Sequence, residues 1–84
     1  MKNNECYIAT FHTHLSALRT QRALLASGAD ARLAPVPRSL SASCGTCVRY
    51  SAEKPYLDEM DKDVERVVKI LPEDGGYEQL LYNA

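Results

Sequence analysis

The stretch from Pro55 to Pro72 reads PYLDEMDKDVERVVKILP, and its reading decides the fold. Leu57, Met60, Asp61, Val64, Val67, Val68 and Leu71 recur at i, i+3, i+4 and i+7. Asp58, Glu59, Lys62, Asp63, Glu65, Arg66 and Lys69 fall elsewhere. That spacing predicts an amphipathic helix with one apolar face. Pro55 suits its first turn, and Pro72 with Glu73-Asp74-Gly75-Gly76 ends it. The expectation is a second helix with an acidic, solvated outer face.

Outward from this segment the chain divides at its turn signals. Cys6–Phe11 (CYIATF) is β-rich and nearly all apolar, which suits a central strand. Thr13 can cap a helix running from His14 to about Ser27, with Gly28 as its terminator. Its expected inner face is His14, Ala17, Leu18, Gln21, Leu24, Leu25 and Gly28. Ala29–Pro37 (ADARLAPVP) reads as a strand. Its two prolines cannot donate ladder hydrogen bonds, so it belongs at a sheet edge. Arg38–Thr46 is a serine-rich loop, Cys47–Ser51 a short strand, and Tyr77–Tyr82 a last strand.

The order is βαββαβ. This predicts an α+β, ferredoxin-like fold, with a four-stranded antiparallel sheet and two helices on one face. The opposite face needs cover, for which Tyr7, Tyr50, Tyr77 and Tyr82 are available. A partly apolar remainder would suit a homodimer. In this topology the first two strands run the same way. Phe11-His12-Thr13-His14 and the 41–45 loop should therefore meet at one edge, although thirty residues separate them.

Length allows a single domain over residues 1–84. The 45% hydrophobic and 25% charged content is that of a globular chain, not a disordered one. A net charge of −1 gives no bulk attraction to nucleic acid. No apolar run is long enough to span a membrane, and the N-terminus lacks a signal peptide's apolar stretch. A cytoplasmic location is expected. Residues 1–50 are basic and residues 51–84 acidic, and Arg38 and Arg49 bracket two of the cysteines. That bracket biases the cysteine loop toward anions.

Three cysteines, Cys6, Cys44 and Cys47, are an odd count that does not suit a secreted disulfide scaffold. Cys6 lies in a strand and reads as core. Cys44 sits among small residues and precedes Gly45, so its sulfur should be accessible and backbone N–H groups can face an anion. Packed against the start of the first helix, such a thiol would be stabilised as thiolate, the nucleophilic form. Cys47 completes a C-x-x-C. A thioredoxin motif sits at a helix N-terminus, whereas this one enters a strand. Cys47 can serve as a second, resolving thiol or simply as a strand residue. Cys44 and Cys47 are the candidate catalytic residues, and Arg38, Ser43, Gly45 and His12 the candidate ligand-binding ones.

The segment from Val36 to Tyr50 (VPRSLSASCGTCVRY) resembles the signature of a small bacterial family of selenium/sulfur carrier-like proteins, most strongly in Pro37-Arg38-Ser39-Leu40-Ser41-Ala42-Ser43-Cys44-Gly45. Thr10-Phe11-His12 followed by Ala17-Leu18 is similar to that family's first motif. The resemblance spans roughly residues 6–82. It implies a carrier of activated sulfur or selenium, held on Cys44 as a persulfide or perselenide. It implies donor and acceptor proteins as partners, and no metal or other cofactor.

Two other classes remain open from the residues alone. One is a small ligand- or protein-interaction module whose cysteines are unreactive. The other is a metal-binding module using Cys44, Cys47, His12 and His14, although H-x-H with C-x-x-C is not a zinc-finger spacing. No phosphate loop, dinucleotide fingerprint, nucleophile elbow or aromatic-basic RNA-binding strand is present.

Overall fold

Val64–Ile70 is a strand, not the second half of a helix. A computed structural model describes residues 4–40, 42, 44–73 and 75–83. Chain order is β1 (Glu5–Phe11), α1 (His14–Ala26), β2 (Asp30–Pro35), β3 (Thr46–Ala52), β4 (Val64–Ile70) and β5 (Tyr77–Tyr82). Leu57–Glu59 forms only a single 3-10 turn. The strands make one sheet in the order β2-β3-β1-β4-β5, with every neighbouring pair antiparallel. The ferredoxin-like βαββαβ expectation is therefore corrected. The described residues hold one α-helix on a five-stranded sheet, not two helices on four strands.

A bulge explains why helical spacing misled. Ala9 faces Val67 and Thr10 faces Arg66, but Phe11 faces Val64, so Glu65 is an extra residue in β4. An inserted residue resets the side-chain alternation of a strand. Val64 and Val67, three apart, thus point to the same side and join the same core cluster. A second register shift follows between β4 and β5, where Val67 faces Leu81 and Val68 faces Gln79. The β-branched Val64, Val67, Val68 and Ile70 favour extended backbone, and their chemistry outweighs the spacing.

The other elements lie close to where the sequence puts them. β1 is the middle strand and is buried from Tyr7 to Phe11. β2, which ends in Pro35, is an edge strand. Thr13 caps α1 by accepting the Ser16 N–H at 3.2 Å. Gly28 ends the helix at φ +96°, a conformation that penalises any side chain.

The helix side of the sheet carries the larger core. Ala17 and Leu24 of α1 pack over Tyr7, Ala9, Phe11, Val48 and Tyr50. Tyr56, Leu57 and Met60, from the crossover between β3 and β4, cover the ground the second helix would have taken. Tyr7 and Tyr50 stack with ring centroids 5.0 Å apart inside this core, so they do not cover the opposite face. There, Leu40 of the β2–β3 loop lies on Ile8, Cys47 and Val68, with Tyr77 alongside.

The helix is turned relative to its expected face, since Ser16 and Thr20 are buried while Leu25 is exposed. The cause is Asp61. Its backbone N–H donates to Thr20 Oγ1 at 3.0 Å, and its carboxylate accepts from Ser16 Oγ and from the Asp63 N–H. Arg19 stands 4.0 Å away. These contacts dock the crossover on the helix. The Ser16 hydrogen bond is the main cause of an Asp61 pKa below the usual carboxylate value, with help from Asp63 N–H, Arg19 and Lys62 against an opposing desolvation. A depressed carboxylate pKa stabilises the fold above the unfolded-state value and loses that effect as pH falls through the folded one. Asp61→Ala should cost about 1–3 kcal/mol at pH 7. In urea melts its deficit against wild type should shrink below a pH of about 4. A deficit independent of pH would show that packing, not the carboxylate, docks the crossover.

Candidate functional site

The β2–β3 loop, residues 36–45, is built as a hairpin connection with fixed ends and an anchored first half. Val36 N–H donates to Gly45 O at 3.1 Å, closing the loop at its base. Pro37 to Leu40 makes a turn through the Leu40 N–H to Pro37 O bond at 3.0 Å. Arg38 is exposed in that turn. Leu40 is buried on the sheet, and Ser39 Oγ shares a 2.8 Å hydrogen bond with Tyr77 OH of β5. Cys44 follows this anchor and is partly exposed.

The strand directions bring the loop to the helix start. β1 and β2 run the same way with β3 between them, so the end of β1 and the start of β3 share an edge. His14 Nδ1 and Thr46 Oγ1 are 3.3 Å apart, joining the first residue of α1 to the second residue after Cys44. His12 is exposed there, and its backbone N–H donates to Asp63 O at 3.1 Å. That bond ties His12 to the crossover. Ser43 lies outside the described residues.

Gly45 is exposed, has no positive φ, and a Cβ added there would meet nothing within 4 Å. Neither a positive φ nor close packing requires glycine at this position.

The three thiols have different environments. Cys6 is exposed on the sheet face away from the helix, Cys44 is half-buried in the loop, and Cys47 is completely buried. Cys47 Sγ donates to Pro35 O at 3.6 Å. Burial pushes its thiol pKa up, opposed in part by Arg49. Cys47 is therefore a protonated, enclosed thiol in the folded state. Among the described residues, no three His, Cys, Asp or Glu side chains gather where they could hold a metal ion. His12, His14, Cys44 and Cys47 share a region without forming a ligand set.

Sequence reasoning read Leu40 only as part of a pattern. The signal that could have found it is a lone leucine in a serine-rich run. The Ser39–Tyr77 and His14–Thr46 contacts carry no sequence signal, since each joins residues more than thirty apart.

A family model described as putative Se/S carrier protein-like matches residues 6–74. The chain belongs to that family. The match takes in β1 through β4 with the whole cysteine loop, and ends before β5. No curated protein and no solved structure matches the chain at a significant level. Among the described residues no helix is long and apolar enough to cross a membrane.

Proposed function

We propose that this member of the Se/S carrier-like family holds activated sulfur or selenium on Cys44 as a persulfide or perselenide. The observation that carries the reading is the contrast among the thiols. Cys44 alone combines partial exposure, a loop position and nearness to the edge where α1 begins. Cys47 supports the loop from beneath, as part of the surface on which Leu40 rests.

The chemistry balances without an oxidant. The Cys44 thiolate attacks the terminal sulfur of a donor persulfide, R–S–SH. A Cys44–S–SH bond forms, the donor S–S bond breaks, and R–S⁻ leaves with the electron pair. An acceptor thiolate repeats the exchange and releases Cys44 as thiolate. A donor R–S–SeH delivers selenium by the same displacement. Arg38 stands in the loop's exposed turn, and Gly45, next to Cys44, is exposed. Donor and acceptor proteins are the partners this role requires.

Intact mass spectrometry tests it. Wild type incubated with a low-molecular-weight persulfide should gain one chalcogen atom, and Cys44→Ser should gain none. Cys6→Ser should load like wild type. Loading that survives Cys44→Ser would remove the assignment.

A further inference from the structure

The sheet face away from α1 carries a second feature that the cysteine loop does not use. A cavity of about 440 Å³ opens there, lined chiefly by Cys6, Asp30, Arg32, Arg49, Ser51 and Ile70. Arg32 and Arg49 are direct partners in the β2/β3 register, so both guanidinium groups rise from one rung of the ladder. The next rung on the same face pairs Asp30 with Ser51, and Ser51 with Cys6 across to β1.

Two like charges facing each other on a ladder destabilise a sheet unless an opposite charge lies between or beside them. Neither arginine makes an ion pair among the described residues, and both are exposed. Asp30 is the one acidic group lining the cavity, which leaves its charge at +1. Each guanidinium offers a planar fork of donors matched to a tetrahedral oxoanion. The Ser51 hydroxyl adds a donor, and Ala34 and Ile70 supply an apolar wall.

We propose that this cavity binds a phosphate-class dianion, free or as the terminal group of a small organic molecule, held by Arg32 and Arg49. Two opposed guanidinium groups suit a dianion better than a monoanionic carboxylate, because each can take one edge of the same group. The apolar wall beside them fits the organic part of a phosphate monoester. This site stands apart from the Cys44 reading, and Cys44→Ser should leave it intact.

Thermal unfolding at constant ionic strength, with chloride exchanged for inorganic phosphate or for phenyl phosphate, tests the site. At about tenfold over Kd, wild type should melt roughly 5–10 °C higher. Arg32→Gln and Arg49→Gln should lose that shift while melting no lower than wild type in chloride, because the like-charge pair is gone. Arg22→Gln, on the exposed part of α1, should keep it. As a second readout, either anion should slow alkylation of Cys6 in wild type, and in neither arginine variant. A tighter response to phenyl phosphate identifies the organic monoester as the ligand class, and a tighter response to inorganic phosphate the free anion. No shift with either anion, or an equal shift in the arginine variants, would overturn the proposal.

Discussion

In the folded protein an alkylating reagent should modify Cys44 and Cys6 and leave Cys47 untouched until the structure opens. Cys47 has no exposed surface, and burial holds its thiol protonated. Reaction must then wait for an open state, which native proteins populate at about 10⁻³ to 10⁻⁶. Its modification should be slower than in the denatured chain by about a thousandfold or more. Timed quenching followed by peptide mass mapping reads all three sites in one sample. Leu40→Ala should speed Cys47 selectively, because Leu40 closes the surface over it. Equal rates at Cys44 and Cys47 in wild type would contradict the enclosure. If the protection holds, Cys47 cannot resolve a Cys44 persulfide without the loop first lifting from the sheet.

Phe11→Ala should remove a large share of the protein's stability. Phe11 is the only phenylalanine in the chain and is completely buried. It stands at the end of β1, opposite Val64, where the β4 bulge turns the register. Deleting a buried phenylalanine ring costs about 3–5 kcal/mol, since the lost transfer energy adds to an unfilled cavity. A domain of this size has roughly 4–13 kcal/mol in total, at about 0.05–0.15 kcal/mol per residue. The urea midpoint should fall steeply with little change in slope. Phe11→Leu should lose less than the alanine variant, because leucine refills much of the cavity with apolar atoms. An alanine variant within about 1 kcal/mol of wild type would mean that the core does not centre on this position.

The first half of the fold was legible because each segment carried one pattern only. Cys6–Phe11 had no polar alternation and became the central strand, and the prolines of the next strand placed it at an edge. Thr13 and Gly28 marked the helix ends. Residues 55–71 were ambiguous because a strand with one inserted residue can show helical intervals. Val64, Val67 and Val68 satisfy both readings, and only their β-branching separates them. The same kind of limit applies to the site. The meeting of the helix start with the cysteine loop followed from the ferredoxin-like order, and it survives the correction because β1 and β2 also run the same way in the observed sheet. Which cysteine is enclosed did not follow. Cys47 turns inward on the side of the sheet that Leu40 covers, and no local rule announces that cover.

The anchoring of the loop limits how the molecule can hand over a cargo. Cys44 lies two residues from Thr46, which is fixed in β3 and bound to His14. Two residues of extended chain span about 7 Å at most. An atom loaded on Cys44 is therefore on a short tether, not on a swinging arm. On the proposed assignment to Cys44, donor and acceptor would each come to this one edge of the sheet.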